Sequence, residues 1–71
     1  MSNEHVYRKT ELVGSSTTSI SDAIETAIAR AAKTLRHLEW FEVTDIRGHV
    51  QAGKVAHYQV SLKVGFRVDE V

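Results

Sequence analysis

The stretch that decides the fold is Leu38-Glu39-Trp40-Phe41-Glu42-Val43, residues 38–43 of the chain. It separates a helix-like segment from two strand-like segments and contains the only tryptophan. Because successive strand side chains point to opposite faces, we expect Trp40 on the sheet face turned away from the helix and Phe41 on the face towards it. A large aromatic side chain left exposed on a small domain marks a surface for a partner or a ligand.

The composition limits the chain to one small domain, which we place at residues 1–71. One core of this size supplies only a few kcal/mol, and the absence of cysteine excludes disulfides and thiolate zinc sites, so we expect self-association. Residues 1–5 are polar and no apolar run approaches a membrane span; we therefore predict a cytoplasmic protein without a membrane partner. Nine basic and nine acidic residues cancel, which argues against nucleic-acid binding.

Upstream of the central stretch, we predict a strand followed by an amphipathic helix. Residues 6–13 are rich in β-branched and aromatic residues, and Gly14 with the Ser/Thr cluster at 15–18 is expected to end that strand. The helix begins near Ser19, with Ser16 as a competing N-cap. The apolar residues of the helix recur every three or four positions and are Ala23, Ile24, Ala27, Ile28, Ala31, Leu35 and Leu38. This spacing indicates one buried and one solvated side.

Downstream, residues 40–50 and 55–68 are predicted to form a β-hairpin closed by a three-residue loop at residues 52–54. The second of these strands alternates strictly between apolar and polar residues, so one of its faces is predicted to be core. That face carries Ala56, Tyr58, Val60, Leu62, Val64, Phe66 and Val68.

In the first hairpin strand, strict alternation of side chains between the two faces would bury the charged residues Asp45 and Arg47. We therefore expect the alternation to be interrupted. A β-bulge near Thr44-Asp45 adds one residue and restores the pattern. The resulting register pairs residues across the helix-free face: His49 with His57, Arg47 with Gln59, and Glu42 with Lys63, the last a favourable charge pair. The predicted fold class is α+β, with the order β-α-β-β and a three-stranded antiparallel sheet packed on one helix.

The helix-free face of this sheet is predicted to hold the functional residues. Trp40 either packs in a subunit interface or stacks on a flat heterocycle. Gln59 is either a solvated strand residue or a donor and acceptor to the edge of such a ring. Arg47 and Arg67 form either surface ion pairs or a grip on phosphate. Because Trp40 and Gln59 are about 20 Å apart along the hairpin, one ring can touch both only if they come from different subunits.

The sequence lacks the patterns of a common enzyme or a metal site. His49 and His57 face each other without a convergent carboxylate, so we predict no metal ion there. The chain has neither a Gly-rich phosphate loop nor a nucleophile elbow. We therefore expect a binding protein and not an enzyme.

Nearly the whole chain resembles the dodecin family. The resemblance is carried by residues 38–43, by Ile46-Arg47-Gly48-His49, and by residues 58–67, Tyr-Gln-Val-Ser-Leu-Lys-Val-Gly-Phe-Arg. It implies a β-α-β-β protomer whose sheet wraps the helix, with twelve copies in a hollow shell of cubic symmetry. It also implies that flavins bind in pairs between symmetry-related tryptophans, and that the shell stores flavin and quenches its photochemistry. In this resemblance Trp40 matches the stacking tryptophan, and Gln59 matches the glutamine that hydrogen-bonds the isoalloxazine edge.

The resemblance also implies roles for the charged residues. Arg47 and Arg67 match positions that serve the phosphate of FMN or coenzyme A in bacterial members. Asp45 matches an acidic position near the flavin tail in an archaeal branch. That branch prefers phosphate-free flavins and differs at the position of His49, whereas Arg47 together with His49 looks like the bacterial pattern, which favours FMN; riboflavin and FAD are the alternative flavins. The competing function is that of an oligomeric coenzyme A carrier, or a scaffold without a flavin. A flavoenzyme is disfavoured, since paired flavins leave no open face for a substrate.

Overall fold

The computed structural model describes residues 4–68 and has the predicted β-α-β-β order. The elements are β1 (Tyr7–Ser16), α1 (Ile20–Ala31), β2 (Leu38–Gln51) and β3 (Lys54–Arg67). They form one antiparallel sheet in the order β1-β3-β2, so β3 is the central strand. The α+β class is thereby confirmed. Residues 1–3 and 69–71 of the predicted domain, including part of the polar N-terminus, lie outside the described residues.

The first strand extends through Gly14 to Ser16, three residues beyond its predicted end. Gly14 is needed there because α1 lies directly on it. A Cβ at Gly14 would overlap the backbone carbonyl of Ala23 and press on the side chain of Ala27. The glycine is therefore a position of close helix–strand packing and not the strand breaker that its sequence context predicts.

Both predicted cap residues act at the start of α1. Ser19 is the N-cap, and its hydroxyl accepts a hydrogen bond from the backbone N–H of Asp22 at 3.0 Å. The Ser16 hydroxyl accepts from the backbone N–H groups of Thr18 and Ser19 at 2.9 and 3.3 Å. It also donates to the Asp22 carboxylate at 2.6 Å. Together these bonds satisfy free N–H groups of the first turn and tie the end of β1 to α1.

The helix is shorter than its apolar stripe predicts. It ends at Ala31, whereas the stripe continues to Leu38. A turn follows, in which the Thr34 hydroxyl donates to the Ala31 carbonyl at 3.4 Å, and His37 adopts a positive φ of 62° just before β2. Leu35 and Leu38 still pack against the core, from the connection and from β2. Within residues 4–68, no helix combines the length and apolar character needed to cross a membrane.

The predicted register of the hairpin is confirmed. The pairs across β2 and β3 are Glu42–Lys63, Arg47–Gln59 and His49–His57. The bulge lies between Val43 and Asp45, where it was expected. Thr44 is the extra residue, and its hydroxyl donates to the backbone carbonyl of Ser61 at 3.2 Å. Because of this insertion, Asp45 and Arg47 remain on the helix-free face.

The hairpin closes with a two-residue turn and not with the predicted three-residue loop. Gln51 pairs with Lys54, and Ala52 and Gly53 between them have positive φ values of 52° and 74°. Positive φ at both central positions is the geometry of a type I′ turn, whose twist matches that of the flanking strands. A second register shift beside His49 absorbs the remaining residue and preserves the predicted pairing of that histidine.

The core is small and lies beneath β1 and β3, on which α1 packs. Its fully buried side chains are Val60, Leu62 and Val64 of β3 and Ala23 of α1. Only the central three of the seven predicted core residues of β3 are therefore buried. Phe41 pairs with Val64 and so lies on the helix side as predicted, but it is 48% exposed because α1 does not cover β2.

Candidate ligand-binding site

Trp40 lies on the helix-free face of the sheet, as predicted. It pairs with Gly65, which alternates with the buried Val64 and so faces away from α1. A Cβ at Gly65 would overlap the indole atoms Cε2, Cζ2 and Cη2 almost equally. Near-equal overlap with three consecutive ring atoms means that the flat face of the indole, and not its edge, lies on the β3 backbone. The other face is turned outward, and Trp40 is 38% exposed.

Tyr7 of β1 contacts the same indole. The ring centroids of Tyr7 and Trp40 are 5.2 Å apart and the ring planes are inclined at 70°, an edge-to-face arrangement. Such pairs contribute about 0.5–1.5 kcal/mol beyond their buried area. Sequence reasoning missed this contact, because the irregular alternation of β1 does not indicate which face Tyr7 occupies. The register shows it: Tyr7 pairs with Arg67, two positions from Gly65 on the helix-free face.

An ion pair borders the indole on this face. The Lys9 ammonium donates to Oε1 of Glu42 at 2.6 Å, and Lys9 lies opposite Gly65 in the sheet. The predicted partner of Glu42 was Lys63, which does lie directly opposite it. Lys9 takes the hydrogen bond instead, and Lys63 adds a smaller attraction. The hydrogen bond and charge of Lys9 hold the pKa of the Glu42 carboxyl below its usual value.

Of the five other predicted site residues, all of them within the described part of the chain, only Arg67 lies near the indole. It is the last residue of β3, shares the face of Gly65 and is partly buried. A guanidinium at this place can hold an anionic group of a ligand whose ring lies on Trp40.

The remaining four predicted site residues form a second cluster towards the tip of the hairpin. They share the helix-free face and are Asp45, Arg47, His49 and Gln59. The ring of His57 stacks on that of His49, with centroids 5.5 Å apart and planes at 16°, so His57 belongs to this cluster although it is not among the predicted site residues. In the described part of the chain, no group of three or more His, Asp or Glu side chains is placed to hold a metal ion.

The two clusters are too far apart to act on one small ring within a single chain. Gln59 and Gly65 are separated by six positions of β3, which is about 20 Å. The distance follows from the confirmed register, in which Trp40 is opposite Gly65 and Arg47 is opposite Gln59. A ligand that contacts both Trp40 and Gln59 must therefore lie between two copies of the chain.

Comparison with known proteins points to one family. The family model described as Dodecin matches residues 6–69. A dodecin from Thermus thermophilus is 57% identical over 65 residues, which cover 92% of this chain and 94% of that protein. The structure of dodecin from Streptomyces coelicolor is similar with a TM-score of 0.90 at 54% identity, covering 100% of both chains. Dodecin from Streptomyces davaonensis gives a TM-score of 0.89 at 51% identity, covering 97% of this chain and 100% of that one.

Proposed function

This chain belongs to the dodecin family, and on that premise we propose that it is a non-enzymatic flavin-binding protein that stores FMN and quenches its photochemistry. The observation that carries the proposal is the indole of Trp40, which has one face on Gly65 and the other turned outward. A flat heterocycle on the outward face buries apolar area and gains ring stacking. An electron-rich indole in contact with an excited flavin can also donate an electron, which is the physical basis of quenching.

Self-association of the chain is part of the proposal. The radius of gyration is 15.0 Å, whereas a compact chain of this length has about 11 Å. The larger radius of gyration comes from the long hairpin, which carries apolar side chains that α1 does not cover. Those exposed by 40% or more on the helix side of the hairpin are Phe41, Val43, Ile46, Val50 and Val55. A shell of twelve copies, as the family resemblance implies, would bury these side chains between protomers.

Assembly also supplies the residues that one chain cannot bring to its own indole. We propose that Gln59 of another copy hydrogen-bonds the polar edge of the flavin, for which its amide offers donors and an acceptor. Arg67 and, from the second cluster, Arg47 offer positive charge and paired hydrogen-bond donors suited to the phosphate of FMN, and the His49 ring can add a hydrogen bond. Asp45 offers acceptors for the hydroxyl groups of the flavin tail. Riboflavin and FAD share the same ring, and coenzyme A shares the phosphate chemistry.

The experiment that tests the function is a fluorescence titration of FMN with the purified protein. We expect strong quenching of the flavin by the wild type. Trp40→Ala should weaken binding about 5- to 150-fold, because stacking of a heterocycle on an aromatic side chain contributes about 1–3 kcal/mol. Trp40→Phe retains a ring and should lose less.

Two results would count against the proposal. If FMN stays fluorescent with an assembled wild-type protein, the chain is a scaffold or a coenzyme A carrier and not a flavin store. If Trp40→Ala binds FMN as tightly as the wild type, flavin binding occurs without the indole and the stacking site is wrong.

A further inference from the structure

We propose that Tyr7 is a positioning residue of the flavin site, forming an upright wall beside the indole that fixes the indole plane and limits where a stacked ring can lie. The inference rests on the proposed flavin function and adds to it a residue of β1, an element that carries none of the six predicted site residues. Three parts of the site define this role: the floor, the wall beside it and the opposite border.

The floor is the indole, and only one of its faces is available. The other face lies on the backbone at Gly65, because a Cβ there would overlap three consecutive ring atoms of Trp40. The plane of the indole is therefore roughly parallel to the sheet. One flat ligand ring can stack on each indole, and it lies on the outward face at about 3.5–4.0 Å.

The wall is the phenol ring of Tyr7. Its plane is inclined at 70° to that of Trp40, so it rises from the sheet on which the indole lies flat. Tyr7 belongs to β1, on the far side of the central strand from β2, and it pairs with Arg67, two positions from Gly65, so it stands diagonally across β3 from the Trp40 backbone. With centroids only 5.2 Å apart and Tyr7 41% exposed, its upper part flanks any ring stacked on the indole.

The opposite border is the Lys9–Glu42 ion pair, which spans the sheet from β1 to β2. Along β3, Tyr7 lies at the level of Arg67 on one side of the indole and Glu42 at the level of Lys63 on the other, while Lys9 is level with the indole, opposite Gly65. The outward face of the indole thus lies between an aromatic wall and an ionic one. A stacked ring that shifts along the strand meets one or the other, which keeps it centred on the indole.

The test uses lumichrome, a flavin ring without a sugar tail or phosphate, so that only contacts to the ring are measured. Tyr7→Ala should weaken lumichrome binding about 2- to 13-fold, the range expected for one edge-to-face aromatic contact, while Tyr7→Phe keeps the wall and should stay within about twofold. Val6→Ala is the matched control. Val6 directly precedes Tyr7 and is 69% exposed, and its side chain points to the opposite face of the sheet because successive side chains of an extended segment alternate.

A spectroscopic measurement separates positioning from a general loss of structure. At saturating lumichrome, the induced circular dichroism of the bound ring should change in Tyr7→Ala but not in Tyr7→Phe or Val6→Ala. If Tyr7→Ala does not assemble, Tyr7→Leu replaces it, since leucine keeps apolar bulk without a planar wall. Affinity and induced dichroism equal to those of the wild type would overturn the proposal.

Failure of the proposed function gives a different result from failure of this inference. If the wild type binds neither FMN nor lumichrome, the flavin function is wrong, and the near-ultraviolet dichroism of the ligand-free protein then decides the role of Tyr7. Trp40 is the only tryptophan, so its band is assignable. That band should weaken in Tyr7→Ala if the phenol holds the indole, and an unchanged band would overturn the inference.

Discussion

A tryptophan presents one open ring face here because a glycine lies beneath the other. Gly65 leaves the β3 backbone bare, and the indole of Trp40 fills that space with its flat face. A tryptophan beside a larger residue would stand on edge and offer no open plane. The position of Trp40 and its side of the sheet could be predicted from alternation along the strand. The orientation of the ring could not, because it depends on which residue of another strand is its neighbour.

The role of Gly65 can be tested by adding one methyl group. Gly65→Ala should displace the indole, because overpacking of a filled site costs about 1–3 kcal/mol, and it should weaken FMN binding by about tenfold or more. Gly48→Ala is the control, because a Cβ there meets no ring: its neighbours are the His57 carbonyl oxygen at 3.1 Å and Cγ1 of Val55 at 3.9 Å. Fluorescence titration measures both. Equal affinities in Gly65→Ala and the wild type would mean that the glycine does not set the indole plane.

The Lys9–Glu42 ion pair predicts a pH dependence with a defined sign. Because Lys9 lowers the pKa of Glu42 below its usual value of 4.5, the folded protein favours the charged carboxylate. The resulting stability is present above the unfolded pKa and is lost as the pH falls through the folded one. An NMR titration of the Glu42 carboxyl should give a midpoint below 4.5.

Two lysine variants identify the cause of that shift. Lys9→Met should return the Glu42 midpoint almost to its usual value, since the first two causes of the shift both come from Lys9. Lys63→Met removes only a charge without a hydrogen bond and should change the midpoint less. A larger change of the midpoint in Lys63→Met than in Lys9→Met would show that the main charge partner of Glu42 in solution is Lys63 and not Lys9.

Among the helix and strands, features marked by a break in the hydrophobic alternation could be predicted from the sequence. Features that depend on contacts between elements could not. The bulge beside Thr44 was predictable because strict alternation would have buried two charged residues. The end of α1 at Ala31 was not, because neither glycine nor proline follows it and the apolar spacing continues to Leu38. The role of Gly14 was also predicted wrongly. A glycine is needed there because α1 lies directly on the strand, and the neighbouring residues in the sequence do not indicate that contact.

The turn of the hairpin offers a test of local backbone energetics. Ala52 has a φ of 52°, which costs a residue with a Cβ about 1–2 kcal/mol. Asn tolerates this conformation, and Asn-Gly is the preferred type I′ pair. Ala52→Asn should therefore raise the free energy of unfolding by about 0.5–1 kcal/mol, and Ala52→Val should lower it. Denaturant unfolding measures both, and a stabilising valine would contradict the turn type.

At the scale of the whole molecule, the protomer is a long hairpin with a small core. Its dimensions are 59 × 20 × 13 Å, and α1 packs mainly on β1 and β3. Such a chain exposes more apolar surface than a stable monomer does. We propose that contacts between copies stabilise it, and in the proposed flavin site the same contacts would bring Gln59 to the indole of another chain.

The coupling of assembly to binding can be tested at Ile46, far from the indole. Ile46 lies on the helix side of β2 and is 53% exposed. Ile46→Asp should dissociate the assembly, because a charge would be buried in an apolar interface, and FMN quenching should fall although Trp40 is intact. Ile46→Leu is the matched control. Light scattering gives the mass, and full quenching by dissociated Ile46→Asp would refute the coupling.

We propose that one indole becomes a binding slot only when copies of the chain assemble. The most direct measurement is sedimentation velocity of the protein with FMN, followed at the visible absorption of the flavin. We predict a single flavin-bearing boundary at about 95 kDa, the mass of twelve chains of 7.9 kDa each. Flavin that sediments with a single 7.9 kDa chain, or that does not sediment while the assembly does, would contradict the claim.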